Sequence, residues 1–361
     1  MLERVLHHLE RLVAFDTRNP PRAIDGDGIF AYLRDALPGF RLRTEDHGAG
    51  AVSLLAVRGA PDVLFNVHLD TVPSSNGWQA DPHVLRVADG RAVGLGACDI
   101  KGAAAGLLAA AEATGGGAAF LFTSDEEAND ARCVPAFLGS AHGFSDVVVA
   151  EPTACEAVLA HRGIASVAMR FAGTAGHASS ADALQASALH QAMRWGHGAL
   201  ALVEAESHQR FGGLTGLRFN IGRVEGGIKA NVVAPEAEVR FGFRPLPSQD
   251  ADALHARFAA LAPPGTTYTP TFHGPSLPGG DVADAEERRL AARDLADALG
   301  LRIGNAVDFW TEASLFSQAG LTALVFGPGD IAQAHTADEW VALEQLDRYA
   351  AHVVRMLDAR R

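Results

Sequence analysis

The sequence predicts an α/β fold in which a mostly parallel-sheet domain is interrupted by an inserted, ferredoxin-like α+β domain. Three observations lead there. Short, near-continuous apolar runs at Val63–Val67, Ala118–Phe122, Val147–Val149 and Ala323–Phe326 have the character of strands covered on both faces. Between the third and fourth runs the pattern changes to alternation, the mark of strands with one exposed face. A chain of 361 residues also exceeds the length at which one hydrophobic core stops growing, so two domains are expected.

Taken in order, the opening MLERVLHHLERLVAF alternates charged and apolar residues at helical spacing and reads as an amphipathic helix, not a signal peptide. An alanine-rich helix from about Gly102 to Ala113 separates the first two apolar runs, which is the rhythm of a parallel sheet. From about Arg162, Val167, Met169 and Phe171 alternate with smaller or polar residues. A long helical stretch follows from about Leu184 to Ala205, then a strand near Leu217–Ile221 and another marked by Val239, Phe241 and Phe243. A helix at about Asp250–Leu261 and a strand at Thr267–Phe272 complete a β-α-β-β-α-β order, that of a split-βαβ unit. After the turn-rich GPSLPGGD segment at Gly274–Asp281, a charged helix and the last apolar run restore the first pattern. The expected boundaries are 1–161 with 275–361 for the discontinuous domain and 162–274 for the insertion.

Composition excludes several classes. A formal charge of −13 argues against a nucleic-acid partner, which needs clustered Lys and Arg. No apolar run approaches the roughly 20 residues of a membrane span. Cys98, Cys133 and Cys155 are odd in number and widely spaced, which fits neither a disulfide framework nor a zinc knuckle, and a reducing cytoplasm is the expected location. Cys98 itself reads as a small core residue.

The chemistry collects where the apolar runs end, the edge at which open α/β sheets bind ligands. His68 and Asp70 follow the first run, Glu126 and Glu127 the second, and Glu151 the third. His335 lies beyond the fourth, and Asp99 stands just ahead of the Gly102 helix. So many carboxylates on one edge would repel one another and resist desolvation unless something positive sat among them. Imidazole and carboxylate donors suit zinc and its neighbours in the first transition row, so a pair of divalent metal ions is expected.

At these residues the chain resembles the di-zinc aminoacylase and exopeptidase family that includes acetylornithine deacetylase, succinyl-diaminopimelate desuccinylase and bacterial carboxypeptidase G. The matching segments are NVHLDTVP at Asn66–Pro73, GLGACDIKG at Gly94–Gly102, TSDEE at Thr123–Glu127, AEPT at Ala150–Thr153 and GPGDIAQAHTADE at Gly327–Glu339. The resemblance implies that His68 and Glu151 hold one ion and Glu127 and His335 the other, with Asp99 bridging them. It makes Asp70 the residue behind His68 and Glu126 the general base. His177 in GTAGHASS would steady the tetrahedral oxyanion from a neighbouring subunit, which implies a homodimer. Asn231 and Arg244 would grip the substrate carboxylate, and the insertion would be the lid and dimerisation domain. A cis peptide bond between Asp99 and Ile100 is also implied.

The wording of SDEEANDARC and NAVDFWTEASLFS narrows the likeness within the family to enzymes that act on acetylated amino acids of arginine biosynthesis. The expected reaction is metal-dependent, with zinc or cobalt, and removes acetate from N-acetylcitrulline. N-acetylornithine is the alternative substrate, and a general aminoacylase or dipeptidase stands behind both. Glu312 is the expected side-chain selector, since a carboxylate can accept from a ureido group or pair with an ammonium. A non-catalytic metal-binding module is disfavoured because every ligand position and the base are present.

Overall fold

The apolar runs become the centre of a six-stranded sheet. The computed structural model describes residues 1–128 and 130–358. Its first half comprises α1 (Leu2–Val13), α2 (Ile29–Ala36), β1 (Arg41–Asp46), β2 (Val52–Arg58), β3 (Val63–His68), β4 (Arg86–Ala88), β5 (Arg91–Val93), α3 (Lys101–Ala113), β6 (Ala118–Thr123), α4 (Cys133–Leu138) and β7 (Asp146–Val149). Next come β8 (Ile164–Ala172), α5 (Ala183–Ala186), α6 (Ala188–Ala205), β9 (Arg210–Phe211), β10 (Leu214–Thr215), β11 (Arg218–Gly226), β12 (Glu236–Arg244), α7 (Ala251–Ala260) and β13 (Thr267–Gly274). The chain closes with α8 (Ala285–Ala298), α9 (Ala313–Gln318), β14 (Thr322–Val325), β15 (Trp340–Ala342) and α10 (Leu343–Asp358).

Two units separate by their internal contacts. One comprises Met1–Leu159, Glu287–Asn305 and the chain from Thr311 onward; the other comprises Ala160–Glu286 with Ala306–Trp310.

In the first unit the sheet order is β1-β2-β6-β3-β7-β14. The four strands β6, β3, β7 and β14 run parallel, while β1 and β2 add an antiparallel edge. Every residue of β3 and β6 is buried, as near-continuous apolar strands require. Helices α1, α3 and α10 pack together, and α9 packs on β7 and β14 with α4 beside it. The fold is the mostly parallel α/β sheet that the sequence predicts. The β1–β2 pair was not legible, because β1 reads RLRTED and all its residues but Glu45 are exposed.

The second unit is an antiparallel sheet in the order β11-β12-β8-β13. Alternation sends Val167, Met169 and Phe171 of β8 and Val239, Phe241 and Phe243 of β12 to one face. There they form a core with Trp195 of α6 and Leu254 and Phe258 of α7. The indole of Trp195 donates to the carbonyl of Phe258 at 2.9 Å, which satisfies its one polar group. The long helix expected from Leu184 is broken at Ser187. That residue is extended and its hydroxyl accepts from the His190 amide, so it caps α6 instead of continuing α5. Among the described residues no helix is long and apolar enough to cross a membrane.

Candidate metal centre

Parallel pairing delivers the strand ends to one edge. His68 at the end of β3 lies opposite Thr123 at the end of β6, and Val149 at the end of β7 lies opposite Val325 at the end of β14. The acidic and histidine residues that follow these strands therefore converge.

Two groups of ligand-type side chains form there, and they share a member. His68, Asp99 and Glu151 make one and Asp99, Glu127 and His335 the other, with the potential ligand atoms of each group within 4.8 Å of one another. Asp99 divides its oxygens between them: Oδ1 is 3.1 Å from His68 Nε2, and Oδ2 is 3.4 Å from His335 Nε2. Glu151 Oε1 stands 3.8 Å from His68 Nε2, and Glu127 Oε1 stands 2.9 Å from His335 Nε2. His68, Asp99 and Glu151 are buried, whereas the His335 side chain is 51% exposed, so the second group is the one open to solvent. The peptide bond between Asp99 and Ile100 is cis.

The tautomer of His68 is set from behind. Its Nδ1 lies 3.0 Å from the main-chain oxygen of Asp70 and 3.5 Å from the carboxylate Oδ1, so Nδ1 carries a proton on that side and Nε2 is the atom turned towards Asp99 and Glu151. The nearer acceptor is thus the Asp70 carbonyl, not its carboxylate. The carboxylate is held instead through Oδ2, which accepts from Asn19 Nδ2 at 2.7 Å and from the Glu127 amide at 2.9 Å.

The electrostatics are those of a cluster in which buried acids outnumber the two imidazoles. Burial pushes the Glu126 and Glu151 carboxyls well above the usual range, and the carboxylates around them add to the effect; Glu127 is raised in the same way. Burial alone would lower His68, but its hydrogen bonds to Asp70 and Asp99 and the charge of Glu151 outweigh that and leave it well above its ordinary value. Burial would raise Asp99, yet His335 and His68 win and hold it far below the carboxylate range. Two imidazoles and three carboxylates, one of them shared, are a donor set that fits two divalent ions of the zinc type.

The remaining candidates fall in two places. Glu312, at the N-terminus of α9, is buried. Its Oε2 accepts from Thr123 Oγ1 at 3.2 Å while Oε1 has no hydrogen-bond partner among the described residues, and burial, followed by the charge of Asp125, pushes its pKa up to about 8. His177, Asn231 and Arg244 belong to the second unit. His177 and Val232 form a β-bridge, and the Ala178 amide donates to the Asn231 carbonyl at 3.2 Å, so the first two share a loop pair. The exposed His177 ring accepts at Nδ1 from the Ser179 amide, which puts its proton on Nε2. Arg244 lies on the face of β12 opposite the apolar core and lines a cavity of about 720 Å³ with Arg218, Ser166 and Thr271. Among the described residues its guanidinium makes no hydrogen bond or salt bridge, and burial lowers its pKa.

Two contributors escape a sequence reading, Asn19 and Glu339. Asn19 offers no local signal; Glu339 lies inside a family segment, four residues after His335, but nothing in the spacing says what it touches. The three cysteines are free and buried, and burial raises each thiol, as core residues require.

Comparison with known proteins places the chain among hydrolases. The profile of the family described as Peptidase family M20/M25/M40 matches residues 64–359. N-acetyl-L-citrulline deacetylase of Xanthomonas campestris pv. campestris is 68% identical over 360 residues, which cover 99% of this chain and 98% of that protein. Acetylornithine deacetylase of Myxococcus xanthus is 31% identical over 96% of this chain and 95% of its own. The crystal structure of aminopeptidase PepT from Bacillus cereus superposes with a TM-score of 0.75 at 20% identity, covering 99% of this chain and 98% of that one, and so shares the fold.

Proposed function

The chain belongs to the M20/M25/M40 peptidase family, and from that premise we propose that it is a two-metal amidohydrolase that releases acetate from N-acetyl-L-citrulline. The observation that carries the reading is the sharing of Asp99, with one oxygen turned to each of the two ligand groups. The substrate follows from the relative of 68% identity along nearly the whole chain.

In this reading His68 and Glu151 would hold one ion and Glu127 and His335 the other, with Asp99 available to both. Zinc is the ion the donor set favours, with cobalt able to replace it. Such a pair, when bound, polarises the amide carbonyl and lowers the pKa of water to about 7. The chain's own residues do the rest. Glu126 takes the proton of the attacking water and passes it to the leaving amine, a task suited to a carboxyl raised by burial and by neighbouring acids. Asp70, fixed by Asn19, keeps His68 in the tautomer that leaves Nε2 free.

His177 offers Nε2–H to the developing oxyanion from the second subunit of a homodimer. Asn231 and Arg244 receive the α-carboxylate, for which a planar guanidinium gives two parallel hydrogen bonds. Glu312 meets the substrate side chain. Its buried carboxyl can hydrogen-bond a ureido group or pair with an ammonium, so the preference for citrulline rests on the relative of 68% identity. The place of the reaction is arginine biosynthesis.

The test is acetate release from N-acetyl-L-citrulline and N-acetyl-L-ornithine side by side, with metal-free protein restored with zinc or cobalt. Metal-dependent cleavage of the citrulline derivative is expected. Preference for the ornithine derivative would move the substrate and keep the chemistry, and cleavage of neither would sink the proposal.

A further inference from the structure

Glu339 sits four residues after His335 and is only 2% exposed. Among the described residues its carboxylate makes no salt bridge, although its charge acts on the buried Lys101. Instead Oε2 accepts the amide of Gly96 at 2.8 Å, and Oε1 accepts the amides of Cys98 and Asp99, each at 2.9 Å. Its main-chain oxygen takes the Gly94 amide at 3.0 Å as well, and the next residues pair as β15 with β5, Trp340 opposite Val93 and Val341 opposite Ala92. The whole approach to Asp99 is therefore laid along Glu339.

A buried carboxylate is costly unless charge-assisted hydrogen bonds replace its water, and here three amide donors do so. We propose that Glu339 is a positioning residue that fixes the backbone of the bridging Asp99 and thereby ties the two ion sites together. One short segment, 335–339, presents a ligand to one site through His335 and sets the ligand common to both through Glu339. A plain loop-bracing role would need only part of this; the four contacts converge on the stretch that ends at the shared ligand.

The inference rests on the ligand reading above, and the two can fail separately. Metal-free wild type, Glu339→Ala, Glu339→Gln and His335→Ala would each be titrated with cobalt(II) by calorimetry in competition with a chelator, and the visible spectrum of the bound cobalt recorded. Loss of an outer hydrogen-bonding partner of a metal ligand typically costs 10- to 100-fold in affinity. Glu339→Ala should therefore weaken both ions by roughly that factor and alter the cobalt spectrum of both sites, whereas His335→Ala should weaken one. Glu339→Gln should fall between Glu339→Ala and wild type, because its one carbonyl oxygen can still accept from Cys98 and Asp99 while its amide opposes Gly96. A Glu339→Ala protein with wild-type metal-free unfolding that binds both ions unchanged, or loses only one, overturns the proposal. If that variant does not fold, Glu339→Gln decides, and wild-type affinities with a wild-type spectrum overturn it. Wild type that takes up fewer than two ions would sink the ligand reading itself.

Discussion

Glu126 and Glu127 are chain neighbours with the same side chain, and the fold gives them different work. Glu127 turns Oε1 to His335 and its amide to Asp70, so it is tied into the ligand shell, while Glu126 is raised by burial and by the carboxylates of Glu127, Glu151 and Asp70. Glu126→Gln should lower kcat by about 10² to 10⁴, the range for a lost general base, while two ions remain bound by metal analysis. Loss of both activity and metal would make Glu126 a ligand instead. Glu312 carries a second prediction. Its pKa rises from 4.5 unfolded to about 8 folded, so the folded chain binds the extra proton and loses stability as pH climbs through that window. Metal-free Glu312→Gln should then unfold at the same temperature as wild type near pH 5 and several degrees higher near pH 9, on the order of what a shift of this size implies. Equal melting at both pH values would place Glu312 in water. Most residues legible from pattern alone repeat one theme, acid or histidine after an apolar run, with Asp99 ahead of the Gly102 helix, while His177, Asn231 and Arg244 came only through the family resemblance. Asn19 and Glu339 were not legible, because each acts through a hydrogen bond to a distant segment, 51 residues away for Asp70 and 240 for Asp99, and no local periodicity encodes such a partner.

At the scale of elements, the parallel strands were readable because burial on both faces demands continuous apolar residues, and the second unit's strands because burial on one face demands alternation. The short strands β4, β5 and β15 were not, since three residues carry no period. Yet β15 and β5 are the pair that lays Glu339 beside Asp99. Strand ends also impose size limits. Gly327 follows β14, and a Cβ there would lie 2.5 Å from the Glu151 carbonyl oxygen and 3.0 Å from its amide nitrogen. Real Cβ atoms do not approach that closely, so Gly327→Ala must displace the main chain that presents Glu151, and ligand placement tolerates only about 0.5 Å of error. The expected result is an affinity about tenfold or more weaker for the ion held by His68 and Glu151, read by calorimetry, with the other ion less affected. An alanine variant that binds both ions normally would show that the β7–β14 edge yields where the packing says it cannot.

For the molecule as a whole, the acid cluster makes metal content a stability variable with a definite pH dependence. Glu126, Glu127 and Glu151 are raised in the folded chain, and so is His68, with His335 pushed up to about 10. A raised carboxyl and a raised imidazole act in the same direction here: the folded state holds protons that the unfolded chain releases, so stability without metal falls as pH rises through the neutral range. Asp99 is the exception, but its lowered pKa matters only below the unfolded value of 3.8, outside that range. Metal reverses the trend, because the ligands must be deprotonated to bind and affinity therefore grows with pH. An ion at a hundred times its Kd adds about 2.7 kcal/mol to the folded state. Calorimetric melting of the chelated and zinc-loaded protein at pH 5.5 and pH 8 should thus show a gap that widens with pH, chiefly because the metal-free protein loses ground. A gap that stays constant would mean that the carboxylates are neutralised by something other than the ions, and the reading of this edge as a two-metal centre would fail with it.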